Sequence, residues 1–472
     1  MRRISIDTLG MMSPRGATFS AATRRRNPWY LSRPKLLTTC VFFGILYLYL
    51  NYGGRTVLIP DDSFEYLKDD SLTDIHNATL GFQKVLVLNL PFRTDRRDAM
   101  TLAAATSNMK LEFVDGVTGN SINQKAYPPP QENIKLSNGI RGSWRTHMNA
   151  LQRIVEENLT TALILEDDVD WDVRVRQNLQ RFALASRFLS ENKETLSSPK
   201  YKIENHLNPE TPETSFHILS ENGITERLPS LSLLSIYKKQ LSYSHPQKNG
   251  PTSPYGDPSQ WDILWIGHCG SGFPRNPDNH EHTETTTANV ILTHSNDQTV
   301  PVDKHLKAHP FQGSLDPLAL AYPNHTRIYH RSTGGELCTV GYAVSQRGAR
   351  RLLHQFAIKA WNGIFDSELG RWCAGEDPQT ETPDAARTSP TKQEPFVAKG
   401  EKLAKGKERV CLTSQPPIFA HHHPMNGESD IGGLGGGYAR KYETKYLRYS
   451  VRMNMEKLVQ GIKDYVDQWP DA

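Results

Sequence analysis

The sequence predicts an α/β domain, a sheet with flanking helices, preceded by a single membrane-spanning helix. Three observations predict it. The strongly apolar run "FQKVLVLNL" (82–90) is followed by an Ala-rich helical stretch and a second extended segment, "LEFVDGVTG" (111–119), a strand–helix–strand opening. An amphipathic helix then leads directly into another apolar strand, "TALIL" (161–165). Near the N-terminus, an uncharged apolar run stands behind a basic leader.

The leader and the run set the topology. Residues 1–35 carry eight Arg or Lys against one Asp, so an overall formal charge of +4 leaves −3 for the rest of the chain. A mildly acidic body carries no nucleic-acid footprint. The run "LLTTCVFFGILYLYL" (36–50) is short for a span, which needs roughly 17–25 residues. Asn51 to Gly54 extend it, and a thin secretory-pathway bilayer accepts a shorter helix. A buried core helix is the other reading of such a run; its place behind a basic leader favours an uncleaved signal anchor over 36–52. The charge bias keeps residues 1–35 cytosolic and sends the remainder into the ER or Golgi lumen, a single-pass type II membrane protein. Acceptor motifs for N-glycosylation at Asn77, Asn158 and Asn324 all follow the anchor. So do four cysteines, Cys269, Cys338, Cys373 and Cys411, which allow two disulfides in three connectivities or stay as buried thiols. Their wide, irregular spacing does not fit a zinc site.

Beyond the anchor, residues 53–81 read as a polar stem and 82–472 as the lumenal domain. In "GSWRTHMNALQRIVEEN" (142–158), Trp144, Met148, Leu151 and Val155 fall on one helix face, with Ser143 as N-cap. Residues 191–260 are rich in Ser, Pro, Lys and Glu and read as an insertion outside the core. "WDILWIGHCG" (261–270) returns to the sheet, and "CTVGYAVSQRGARRLLHQF" (338–356) is a strand followed by a helix. Residues 374–407 are poor in apolar residues and read as a second, disordered insertion. Leu447, Val451, Met455, Leu458, Ile462 and Val466 share a face of a predicted C-terminal helix.

The chemistry concentrates in "TALILEDDVDWD" (161–172), where an apolar strand runs into Glu166, Asp167, Asp168, Asp170 and Asp172. The carboxyl edge of an open α/β sheet is where ligands bind, and carboxylates are the hard ligands that Mg²⁺ and Mn²⁺ select. A solvated acidic turn, or carboxylates capping the next helix, fits the cluster equally well. Asp170 and Asp172 are expected to lie in such a turn. "HHH" (421–423) offers imidazoles to a metal but is expected to be an exposed polar loop, and "GGLGGG" (432–437) a hinge.

The order of motifs resembles glycosyltransferase family 25, the group containing lipopolysaccharide and collagen galactosyltransferases. The resemblance covers about 82–372 and is carried by "LNLPFRTDRR" (88–97), "GSWRTH" (142–147), "LILEDD" (163–168), "WDILWIG" (261–267), "GYAVSQRGARRLL" (341–353) and "IFDSEL" (364–369). "WIGHCG" and "CLTSQPPIFAHHHP" are similar to its fungal members. Ser143, Arg145 and Thr146 stand where the family has Cys, Leu and Ser, which alters the pocket around His147. The resemblance implies a GT-A-like, Rossmann-like mixed sheet and a nucleotide-sugar donor, with a UDP-sugar expected. It implies Mn²⁺ or Mg²⁺ held by Asp168 and Glu166, with Asp167 at the metal or donor. Asn89, Arg93, Arg96 and His147 would meet the donor; the two arginines could also be an exposed basic turn, and His147 a boundary histidine. Inverting transfer to a glycan or glycoprotein hydroxyl needs a carboxylate base, for which Asp366 is the candidate, with Glu166 beside it; Asp366 could instead cap a helix. An inactive lumenal binding or scaffold relative, and a metal-dependent nucleotide-sugar hydrolase, are the alternatives.

Overall fold

The structure, a computed structural model, describes residues 70–130, 135–190, 217–219, 225–227, 230–237, 253–273, 290–309, 312–332, 334–376, 409–424, 429–431 and 443–471. The leader, the anchor at 36–52, most of both insertions and the "GGLGGG" segment lie outside the described residues. Among the described residues no helix is long and apolar enough to cross a membrane.

The opening forms as its apolar pattern dictates. Strand β1 (Lys84–Asn89) is followed by helix α1 (Thr94–Thr106), and β2 (Glu112–Asp115) returns parallel to β1. Helix α2 (Asn138–Glu156) crosses to β3 (Thr161–Glu166), which pairs parallel with the other side of β1. A short β4 (Val169–Trp171) and helix α3 (Val175–Ser190) come next. Side-chain alternation splits the core: Val85, Val87, Leu163 and Leu165 face α1 and α3, while Leu86, Leu88, Ala162 and Ile164 face α2. Covered on both faces, these strands read as continuous apolar runs.

The rest of the sheet is assembled from distant parts of the chain. It comprises β5 (Ser230–Ser232), β6 (Ile263–Gly267), β7 (Ile291–His294), β8 (Arg327–Arg331), β9 (Gly341–Ser345), β10 (Cys411–Gln415), β11 (Phe419–His423) and β12 (Glu443–Thr444). The main path runs β2-β1-β3-β9-β6-β10-β8-β7-β5, twelve strands in all with β4, β11 and β12. The antiparallel β9 between β3 and β6 makes the sheet mixed. After β9 come α4 (Gln346–Leu353) and α5 (Phe365–Cys373). Gly267 is required where β6, β9 and β11 meet, since a Cβ there would lie 2.7 Å from Gly341 N and 2.9 Å from Phe419 Cβ.

Several elements depart from the sequence expectation. Helix α2 begins at Asn138, capped by the Ser137 hydroxyl accepting from Ile140 N, so Ser143 lies inside it rather than at its cap. Part of the stem belongs to the domain: Leu72, Ile75 and Leu80 are buried in the core. The first insertion also contributes. Ser230–Ser232 extends the sheet edge, and Tyr255 stacks on Phe82 at 4.4 Å while donating to Leu80 O at 2.7 Å. The C-terminal helix shrinks to Met455–Val459. Gly461 turns the chain with a positive φ, and the Asn454 amide holds Val466 N and O, folding the tail back. Leu447 and Val451 are buried as expected, but from an irregular strap rather than a helix face.

The four cysteines beyond Cys40 form Cys269–Cys338 and Cys373–Cys411. The first ties the end of the β6 strand to the approach to β9. The second ties α5 to β10.

Candidate active site

The carboxyl ends of β1 and β3 open onto a cleft of about 210 Å³, walled also by Gly116–Gly119 and the first turns of α2. Pairing puts Leu88 beside Glu166, so Asn89 and the acidic turn leave the sheet at one edge. Strand β3 stops at Glu166, and the chain turns through Asp167 and Asp168 into β4, which pairs with β11. The alternation of a continuing strand therefore does not govern where Glu166 and Asp168 point.

Asp167 and Asp168 share one cation. Arg96 Nη1 lies 2.7 Å from Asp167 Oδ1 and 2.9 Å from Asp168 Oδ2. Asn89 Nδ2 donates to Asp167 Oδ2 at 2.8 Å and to Arg93 O at 3.2 Å, tying β1 to the turn. Asp168 Oδ2 is also 3.0 Å from His421 Nε2, and His421 Nδ1 is 3.2 Å from His423 Nε2. Burial disfavours the Asp168 anion, but His421, Arg96 and Arg452 outweigh it and hold its carboxyl well below the usual range. Burial and the Asp168 charge push Asp167 the other way. Burial opposes protonation of His421, yet Asp168 raises it, while burial drives His423 down to about 3. His421 thus bridges Asp168 on one side and His423 on the other.

Two expectations about this region are corrected. The three histidines are not an exposed loop. They form β11, which runs parallel to β6 and antiparallel to β4. Asp170 and Asp172 are not a solvated turn either; both are fully buried. Asp170 accepts from Thr444 Oγ1 at 2.7 Å, Trp171 N at 2.8 Å and Arg452 N at 3.1 Å, and from Ser450 Oγ. Asp172 accepts from Arg174 Nε at 2.9 Å and Tyr449 N at 3.1 Å. Arg452 adds bonds to Asp167 O and Val169 O, each 2.8 Å. The acidic motif divides between the cleft and a clamp on the C-terminal strap.

Glu166 faces a different network. Thr339 Oγ1 donates to Glu166 Oε1 at 2.6 Å, and His147 Nε2 lies 3.5 Å from the same oxygen. His147 is buried, with Nδ1 2.8 Å from Tyr342 OH and its ring stacked on Phe365 at 4.6 Å. His147, Glu166, Asp167 and Asp168 all line the cleft. Asp366 sits behind this network. It accepts from Cys338 N at 2.8 Å and from Ser367 N at 2.6 Å, and burial raises its carboxyl above the usual range. Thr339 and His421 are the site residues that sequence reasoning did not place. The first read as the start of a strand, and the second had only its tandem histidines as a signal.

The Asp168 corner suits a hard divalent cation in one respect: Asp168 Oδ1 is buried without a hydrogen-bond partner, next to an imidazole. Among the described residues, however, no three His, Cys, Asp or Glu side chains converge to hold a metal by themselves.

A mixed α/β sheet with arginines and carboxylates gathered at the carboxyl edge of its parallel strands defines an α/β domain whose charged cleft lies where such sheets bind ligands. The chain belongs to glycosyltransferase family 25: the model described as glycosyltransferase family 25 (LPS biosynthesis protein) matches residues 82–367. It is 29% identical over 112 residues to procollagen galactosyltransferase 1-B of Xenopus laevis, covering 21% of this chain and 18% of that protein. Procollagen galactosyltransferase 2 of Homo sapiens is 24% identical over 113 residues, 22% of this chain and 18% of that one. Inactive glycosyltransferase 25 family member 3 of Homo sapiens is 28% identical over 115 residues, 22% and 19% of the two chains. The chain thus spans about a fifth of the length of these curated relatives.

Proposed function

We propose that the protein transfers a sugar from a nucleotide-sugar donor to a hydroxyl of a glycan or glycoprotein. A UDP-sugar, with UDP-galactose first, is the donor to test, since similar proteins carry the name procollagen galactosyltransferase. The observation that carries this reading is the cleft-facing Asp168 corner, with its orphaned oxygen, His421 and Arg96, in a family 25 chain.

Arg93 and Arg96 bind the donor's diphosphate, for which a guanidinium fork is suited. Asp168 and His421 would hold a Mn²⁺ or Mg²⁺ ion beside the donor's diphosphate, and such an ion would supply charge neutralisation for the leaving group. Asn89 keeps Asp167 and the Arg93 backbone together beneath the donor. Glu166 takes the acceptor proton in an inverting displacement, fixed by Thr339 and His147. Asp366 holds the Cys338–Thr339 segment from behind through the Cys338 amide.

The lumen of the secretory pathway is the compartment we assign, reached by the 36–52 anchor. Two disulfides and the exposure of Asn77, Asn158 and Asn324 support it. The similarity to an inactive family member favours a second reading, a binding protein that has kept the fold. A screen of the full-length protein against UDP- and GDP-sugars with Mn²⁺ separates the two. Transfer of labelled sugar to a glycoprotein acceptor, lowered at least about 100-fold by Asp168→Asn, supports the enzyme. Donor binding without turnover supports the binding protein, and free sugar released despite acceptor marks a hydrolase.

A further inference from the structure

We propose that Asp430 is a built-in occupant of the diphosphate seat, a carboxylate that the donor must displace from Arg93 and Arg96 before it can bind. This rests on the reading that those arginines hold the donor diphosphate.

The contact joins remote parts of the chain. Asp430 Oδ2 accepts from Arg93 Nη1 across 337 residues of sequence and lies 3.6 Å from Arg96 Nη2. Ser429, Asp430 and Ile431 are themselves part of the cleft wall. They rest on the first turn of α2 at a distance only glycine permits: a Cβ at Gly139 would lie 2.5 Å from Ile431 Cα. The carboxylate is therefore seated in the cleft rather than resting on its rim.

The charges around it make the competition direct. Arg93 already meets Asp95 through Nε at 2.9 Å and Nη2 at 2.7 Å, leaving Nη1 turned to Asp430. Arg96 serves Asp167 and Asp168 through Nη1 and faces Asp430 with Nη2. A diphosphate placed on the same guanidinium nitrogens would meet the Asp430 anion at contact distance, where like charges repel strongly in a partly buried site. Asp430 keeps about a third of its side-chain surface in solvent, and exposed ion pairs hold weakly, so a tighter anion can replace it. In an empty cleft the outer nitrogens of both arginines thus face a carboxylate, and a donor lacking its diphosphate gains nothing from them.

The test is calorimetric titration of the full-length protein with UDP, and separately with uridine, in Mn²⁺. Asp430→Asn keeps the shape and removes the charge; Asp430→Ala removes both. We expect UDP to bind at least threefold more tightly to each variant, with uridine affinity unchanged. In an Arg93→Ala background the gain from Asp430→Asn should shrink, since Arg96 alone then faces the carboxylate. Unchanged or weaker UDP binding in both Asp430 variants, while Arg96→Ala still weakens UDP, overturns the occupancy of the seat by Asp430 and leaves the arginine assignment standing. UDP affinity indifferent to both Arg93→Ala and Arg96→Ala overturns the arginine assignment and this inference with it.

Discussion

At the scale of single residues, the site depends on how Glu166 is held. A glutamate at a strand end has free rotamers, and among the described residues the 2.6 Å bond from Thr339 and the approach of His147 fix its carboxylate at the cleft. Thr339→Val removes the donor while keeping the shape. We expect turnover to fall roughly 10–100-fold with the KM for donor little changed, and Thr339→Ser to restore most of it. A rise in KM alone would show that the threonine serves binding rather than the carboxylate. The residues of this network were unevenly legible in the sequence. Glu166 and Asp168 stood out by residue type and by position at the end of an apolar strand, and His147 by residue type on an amphipathic helix. Thr339 did not, because a threonine before "VGYAVS" reads as β-propensity, and its partner lies 173 residues away. His421 was visible only as one of three adjacent histidines. A polar run bounded by prolines suggests a loop unless the strand it pairs with is known.

At the scale of elements, the acidic motif does two jobs. Its first half faces the cleft, and its second half fastens the strap from β12 to Asn454 across β4. Asp170 alone accepts from Thr444, Ser450, Trp171 and the Arg452 amide in a fully buried position. Asp170→Ala leaves those donors unpaired, and we expect a loss of about 2–4 kcal/mol in urea unfolding at pH 7. Asp170→Asn should cost less, because its oxygen can still accept; equal stability of Asp170→Ala and wild type would remove the clamp from the account. The strap also explains why the C-terminus was misread. Leu447, Val451, Met455 and Leu458 recur at helical spacing and do meet the core. Periodicity reports which residues are buried, and a strap held by side-chain carboxylates can bury the same ones without a helix. The first half of the sheet, by contrast, was legible, since β1, β2 and β3 are local and their connections short. The order of the later strands depends on pairings across hundreds of residues, which no local pattern encodes.

At the scale of the whole molecule, the sheet carries a set of buried histidines that make the fold acid-sensitive. His268 donates to Ser414 O at 2.9 Å; His330 donates to Arg331 O at 2.7 Å and accepts from the Gln415 amide at 2.9 Å. Burial lowers both to about 4 from 6.5, and His294, His422 and His423 shift the same way. Between those values the unfolded chain binds more protons than the folded one. Stability is therefore full above about pH 6.5 and falls as the pH drops toward 4, by up to about 1.4 kcal/mol per pH unit for each histidine. His421, raised by Asp168 against its burial, contributes in the opposite sense. The urea midpoint should fall steeply from pH 7 to 5, and His330→Gln should flatten that fall; a midpoint constant over the range would contradict the burial of these rings as neutral groups.

The central claim is that Asp168 and His421 form a cation site which the donor's diphosphate completes. Electron paramagnetic resonance of Mn²⁺ titrated into the full-length protein, with and without UDP, tests it most directly. Two protein ligands are too few for tight binding alone, so the account predicts weak Mn²⁺ binding by itself, about tenfold or more tighter binding with UDP, and loss of that gain in both Asp168→Asn and His421→Ala. Tight Mn²⁺ binding without UDP, or a UDP-dependent gain that survives both substitutions, would contradict it.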